Sequence, residues 1–219
     1  MSFEIDSQAC GVCEGACQVA AVAAGLHLPV NSRFVGGPQP GTRAAVFLDR
    51  DGVIVRDVHF LRTPAQIDFL EHVETLAQLK QRYYLVVATN QSGIGRKLFT
   101  ELDLIAIHSD LVSKLASLSV VIDAFYYCPH LPTAELAAYR MDCDCRKPKA
   151  GMFFRAAREY GLDLTRSYMI GDSHRDIEAG RAAGLAGSFL IGASQGATGH
   201  SEGTRTLAQA VRGILGGAA

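Results

Sequence analysis

The stretch Ala44-Ala45-Val46-Phe47-Leu48, followed at once by Asp49-Arg50-Asp51-Gly52, constrains this chain more than any other feature. Five consecutive apolar residues suit a strand buried on both faces, which is the habit of parallel sheets covered by helices. Residues two apart on a strand face the same side, so Asp49 and Asp51 start out aimed at one point, and Gly52 lets the chain turn away. The carboxyl end of a strand in an open α/β sheet is where ligands sit. Two adjacent like charges repel unless neutralised, and a divalent cation does this well. The pattern points to an aspartate nucleophile beside a second acid on a magnesium site.

From Ala44 onward, strand and helix patterns alternate. Strands are expected at 44–48, 84–89, 123–127, 167–171 and 187–191, and helices near 72–82, 101–117, 150–160, 175–183 and 204–215. In the helix 150–160, Met152, Phe153, Ala156, Ala157 and Tyr160 share one face. The expected fold is a Rossmann-like α/β domain, a parallel sheet with helices on both faces. No long insertion follows the first acidic loop or the third strand, so no large cap domain is expected. The domain should span 44–219, with residues 1–43 a separate extension of unassigned role. That extension holds an Ala/Gly/Cys-rich piece and a turn-rich linker, Gly36-Gly37-Pro38-Gln39-Pro40-Gly41.

The second strand leads into Thr89-Asn90-Gln91-Ser92-Gly93, a run of hydroxyls and amides that can hydrogen-bond phosphate oxygens without carrying charge. The same residues would also serve as a plain turn and helix cap. The fourth strand ends in Gly171-Asp172-Ser173-His174-Arg175-Asp176. Asp172 is placed to complete a magnesium shell; Asp176 either orients that shell or caps the following helix.

Between the third strand and helix 150–160 lie Cys128-Pro129-His130 and Cys143-Asp144-Cys145. Three thiols and one imidazole in two tight pairs form a closed zinc set, and an ion with all four positions filled by protein is structural. Arg146 and Lys147 follow the last thiol, so an anchored loop would aim two cations at a fixed point. Lys147 suits a phosphoryl oxygen and Arg146 a second anionic or hydroxyl-rich group.

A formal charge of −1 gives no general attraction to nucleic acid or anionic membrane, and no apolar stretch is long enough to cross a bilayer. The amino terminus lacks the basic start of a signal peptide. A cytoplasmic monomer acting on a small molecule is expected, in which the six cysteines stay reduced. Cys10, Cys13 and Cys17 have metal-like spacing, but no fourth ligand is evident, which favours a flexible or helical extension with incidental thiols.

Taken in order, Asp49-x-Asp51-Gly52, the Thr89 strand end, Lys147 and Gly171-Asp172-x3-Asp176 resemble the four motifs of the haloacid dehalogenase superfamily of phosphatases. From about residue 44 to 192, FLDRDG, TNQSGI, YYCPH and CDCRKPKAGM are similar to the D-glycero-D-manno-heptose 1,7-bisphosphate phosphatases. Histidinol-phosphate phosphatases share the cysteine pairs with a shorter loop between them, whereas here twelve residues separate His130 from Cys143. The resemblance implies that Asp49 is the nucleophile and Asp51 the general acid and later base, with Thr89 and Lys147 stabilising the phosphoryl group. It implies magnesium on Asp49, the Asp51 carbonyl and Asp172, and zinc on Cys128, His130, Cys143 and Cys145. Asn90, Gln91, Ser92, Arg146 and Asp57 would contact a small phosphorylated sugar. His59-Phe60, Gly95-Arg96-Lys97 and Ser173 depart from the family's usual residues, which bears on the substrate and not on phosphoryl chemistry. The competing readings are a phosphatase of histidinol phosphate or another small metabolite, a phosphotransferase, and a non-catalytic zinc-stabilised binding module.

Overall fold

The computed structural model describes residues 43–192, the backbone of 201–203, and residues 206–216. The amino-terminal thiols and the turn-rich linker lie outside the described residues. Six strands form one parallel sheet: β1 (Ala44–Leu48), β2 (Tyr83–Asn90), β3 (Ala124–Cys128), β4 (Tyr168–Gly171), β5 (Gly187–Leu190) and β6 (Ser201–Gly203). Their order across the sheet is β3-β2-β1-β4-β5-β6. The chain builds outward from β1 in one direction, then returns to β4 and builds in the other. The β1/β4 boundary is therefore a topological switch point, and a crevice opens at the carboxyl ends of these two strands. The short polar strand β6 was not expected, because a three-residue Ser-Glu-Gly segment carries no apolar run.

Helices cover both faces, as alternation along β1 requires. Val46 and Leu48 enter one apolar cluster with Leu85, Val87 and residues of α1 (Glu101–Ser117); Ala45 and Phe47 enter the other, with Val86 and Ala88. Helices α2 (Gly151–Tyr160) and α3 (His174–Ala182) pack on the second face, and α4 (Leu207–Gly216) on the first. Helix α2 buries Met152, Phe153 and Ala156, with Ala157 and Tyr160 half-buried at the margin, as its period requires. The Phe47 and Phe153 rings meet with centroids 4.7 Å apart, joining α2 to the central strand.

The segment expected as a helix at 72–82 is instead a 3-10 helix, Val73–Gln81. Its buried residues, Val73, Leu76 and Leu79, recur every third position. That spacing fits three residues per turn better than 3.6, so tighter winding keeps all three on the core. It starts from His72 in the left-handed region (φ 66°), with no side-chain cap. Among the described residues no further domain is inserted after β1 or β3. The 129–150 connection holds only a short 3-10 turn, Ala137–Tyr139.

Phe153 is fully buried against the central strand. Phe153→Ala should lower the unfolding free energy by about 3–5 kcal/mol, read from the urea midpoint at unchanged slope.

Candidate active site

Four chain segments converge where β1, β2 and β4 end. Asp49 leaves β1 with its N–H donated to the Ile170 carbonyl of β4 (3.0 Å), which sets the first acidic loop against the last. Gly52, at φ 75°, turns the chain back; a Cβ there would lie 2.0 Å from Asp172 Oδ2, so only glycine lets the two loops touch. Carboxylate oxygens of Asp49, Asp172 and Asp176 come within 4.8 Å of one another. Burial, reinforced by the charge of Asp176, pushes the Asp172 carboxyl up to about 6.

Lys147 is buried between these acids. Its Nζ lies 3.0 Å from Asp49 Oδ2 and 2.5 Å from Asp176 Oδ1, and donates to the Ala88 carbonyl at 2.8 Å. Burial works against the ammonium, but Asp49 and Asp176 outweigh it and hold Lys147 above its ordinary range. For Asp49 the balance goes the other way: burial, with Asp176 and Asp51 adding to it, pushes its carboxyl up to about 7 despite Lys147. A divalent cation would reverse that shift, because it favours the ionised carboxylate far more than one ammonium can.

Asp176 is fully buried. Besides Lys147, it accepts from the Ser173 N–H (3.1 Å) and hydroxyl (2.7 Å) at the start of α3. It therefore both caps the helix and holds the lysine, which leaves the more accessible Asp49 and Asp172 to face a metal. Those two carboxylates fit magnesium, which prefers oxygen ligands and keeps several positions for water and phosphate oxygens.

The β2 loop turns inward more than its sequence suggests. Asn90 clamps the Lys147 backbone from both sides, its Nδ2 donating to the carbonyl (3.0 Å) and its Oδ1 accepting from the N–H (3.1 Å). Gln91 is buried and donates to Thr89 Oγ1 (3.0 Å) and Asp51 Oδ2 (2.9 Å). Ser92 is half-buried, and Asp57 is exposed with Oδ1 accepting from the His59 N–H (2.7 Å). Arg146, half-buried, donates to the His130 carbonyl (3.0 Å). Two side chains not anticipated from sequence join this network. Arg50 grips Asp51, and His108 of α1 lies behind Arg50. His108 shares a buried helix face with Leu104, Leu111 and Leu115, a spacing that marks it as interior.

Cys128, His130, Cys143 and Cys145 form a buried cluster with all four ligand atoms within 4.8 Å. The sulfurs are 3.2–3.5 Å apart, and His130 Nδ1 is 3.7 Å from Cys128 Sγ and 3.4 Å from Cys145 Sγ. A zinc ion with Zn–S of about 2.3 Å in a tetrahedron needs edges of roughly 3.8 Å, so the cluster fits after slight expansion. Hydrogen bonds from Cys128 and Cys145 hold the Cys143 thiol well below its ordinary range, toward the thiolate that binds metal.

A parallel sheet with an acidic crevice at its switch point is the architecture of haloacid dehalogenase-like hydrolases, and a family model for HAD-hydrolase-like proteins matches residues 144–210. The D-glycero-beta-D-manno-heptose-1,7-bisphosphate 7-phosphatase of Photorhabdus laumondii is 41% identical over 149 residues, 67% of this chain and 79% of the relative. The enzyme of the same name from Haemophilus influenzae is 38% identical over 161 residues, 73% of this chain and 87% of the relative. Among solved structures, D,D-heptose 1,7-bisphosphate phosphatase from B. bronchiseptica, complexed with magnesium and phosphate, superimposes with a TM-score of 0.70 at 33% identity. The match covers 80% of this chain and 99% of that one. The chain belongs to the heptose-1,7-bisphosphate phosphatase family of haloacid dehalogenase-like hydrolases. It is a phosphoric monoester hydrolase.

Asp176→Asn keeps the cap geometry but removes one of the two anions beside the buried lysine. It should cost about 3 kcal/mol of stability, the low end for breaking a buried pair because Asp49 remains, as measured by chemical denaturation.

Proposed function

We propose that this chain removes the C7 phosphate of D-glycero-D-manno-heptose 1,7-bisphosphate, with magnesium, through an aspartyl-phosphate intermediate. The observation that carries the reading is the Lys147 ammonium 3.0 Å from Asp49 at the mouth of the β1/β4 crevice, with Asp51, Thr89 and Asp172 on the adjoining strand ends. The family's substrate supports the choice of sugar.

The Asp49 carboxylate, the Asp51 carbonyl and Asp172 would hold magnesium, which would offset the repulsion between nucleophile and phosphate dianion. The Asp49 carboxylate attacks phosphorus in line, and Lys147 and Thr89 stabilise charge on the equatorial oxygens. Asp51 protonates the departing sugar oxygen, then takes a proton from the water that hydrolyses the acyl phosphate. Asp57, Ser92 and Arg146 are assigned the contacts to the sugar phosphate, while Asn90 and Gln91 are assigned to holding Lys147 and Asp51 in place. Zinc on Cys128, His130, Cys143 and Cys145 is structural, fixing the loop that carries Arg146 and Lys147. Residues 44–219 form the catalytic domain and residues 1–43 an extension. The thiol cluster requires a reducing compartment, which supports a cytoplasmic site of action. One chain supplies every group of the site, which supports a monomeric working unit.

With magnesium, kcat/KM on the heptose bisphosphate should exceed that on histidinol phosphate; the reverse preference would overturn the substrate assignment. Asp49→Asn should reduce turnover to background, and Asp51→Asn should lower kcat by about 10²–10⁴-fold. Stripping zinc and restoring magnesium should leave phosphatase activity lost and the melting temperature lowered. Full activity in zinc-free protein would contradict the anchoring role.

A further inference from the structure

Arg50 lies between the two acids of the first loop, yet it is 1% exposed while Asp51 beside it keeps an open edge. Its guanidinium takes Asp51 side-on. Nε donates to Oδ1 at 3.0 Å, and one terminal nitrogen donates to Oδ1 at 2.9 Å and Oδ2 at 2.8 Å. The same nitrogen donates to Gln91 Oε1 (3.0 Å), and the other lies 3.4 Å from His108 Nε2. Gln91 closes the circuit by donating its amide to Asp51 Oδ2 (2.9 Å) and Thr89 Oγ1 (3.0 Å).

The back wall of this arrangement is buried and aromatic. His108 is buried on α1 and stacks on Phe125 of β3, ring centroids 4.6 Å apart. Burial and the neighbouring Arg50 charge hold it well below its ordinary range, so the ring is neutral. Arginine has only donors, so Nε2 must be the acceptor and the ring proton sits on Nδ1, which has no hydrogen-bond partner. Nothing in this wall carries negative charge toward Arg50. Among the described residues its single ionic partner is Asp51, and a buried cation kept for packing alone would be replaced by an apolar side chain at lower cost. An acid–base carboxylate, by contrast, gains from one locked rotamer, since proton transfer demands hydrogen-bond geometry at the reacting oxygen.

We propose that Arg50 is a positioning residue for the acid–base step. It holds the Asp51 carboxylate in one rotamer through a planar fork, and it is itself held by Gln91 and by neutral His108. The inference rests on the acid–base role assigned to Asp51. It separates two functions within the first loop, with Asp49 serving the phosphorus and Arg50 serving only the proton-transfer group. Loss of the fork therefore leaves substrate binding and attack by Asp49 largely in place. It slows protonation of a poor leaving group, and it slows water activation at the aspartyl phosphate.

The test uses the zinc-loaded, full-length chain with magnesium and compares Arg50→Lys with the parent on a sugar phosphate and on p-nitrophenyl phosphate. The aryl leaving group departs as a stabilised anion and needs no proton. Arg50→Lys is expected to lower kcat on the sugar phosphate by about 10–100-fold, the range for losing an outer partner of a reacting group, at nearly unchanged KM. On p-nitrophenyl phosphate it should show a pre-steady-state burst of nitrophenolate followed by slow turnover, because phosphorylation outruns hydrolysis. An unchanged kcat, or an equal fall on both substrates with no burst, overturns the proposal. His108→Leu and His108→Gln serve if Arg50→Lys does not fold. The leucine should reproduce the burst more weakly, and the glutamine, whose carbonyl can accept from Arg50, should restore parental turnover. Equal behaviour of the two overturns the inference. A parent enzyme without magnesium-dependent turnover would instead defeat the assigned site itself.

Discussion

A buried ammonium placed against two carboxylates holds this molecule's working end together. Lys147 reaches Asp49 from β1, Asp176 from α3 and the Ala88 carbonyl from β2, so one side chain ties two strand ends, the start of a helix and the cysteine loop to a common point. Moving an ammonium out of water is costly, and it stays charged here only because its anions are close and fixed. The reverse also holds. One cation against Asp49, Asp172 and Asp176 leaves surplus negative charge, which adds to burial in raising the Asp49 and Asp172 carboxyls. That surplus suits a divalent cation and a phosphate arriving together, since each neutralises what the other adds.

The remaining elements serve this point by geometry. Asn90 grips the lysine's own peptide groups, so the side chain is aimed from its backbone. The cysteine and histidine cluster lies just before it in sequence, where a bound zinc would immobilise a connection that otherwise has only a short 3-10 turn. Asp176 links Lys147 to the start of α3, so the helix cannot shift without disturbing the lysine. The acid–base half of the site is a second circuit through Arg50, Gln91 and His108, and it meets the lysine circuit at the Asp49–Asp51 loop and at the end of β2, where Asn90 adjoins Gln91.

Much of the fold was legible because buried parallel strands are written as unbroken apolar runs. Ala44–Leu48 and Leu85–Ala88 could hardly be anything else, and the helical period of 152–160 is explicit. The expected α-helix at 72–82 is wound more tightly, because its buried residues, Val73, Leu76 and Leu79, recur every third position. β6 carries no pattern at all. Within the site, Asp49, Thr89 and Asp172 were read from strand-end position and Lys147 from its place directly after the last thiol, and the structure brings these four together; both cues survive in a linear text. Arg50 and His108 were missed for the opposite reason. A lone arginine between aspartates normally lies in solvent, and its burial is decided by α1, more than fifty residues downstream. Gln91 and Asn90 were read as facing a ligand, whereas the structure turns both toward the protein's own network, a choice that depends on partners from other loops.

Chemical trapping of the covalent intermediate tests the central claim most directly. Acid-quenched single turnover with magnesium and a sugar phosphate, followed by borohydride reduction and peptide mass spectrometry, should locate the acyl phosphate on Asp49. Phosphate or reduction found on another residue, or complete turnover with no modified Asp49 at any time point, would contradict the account.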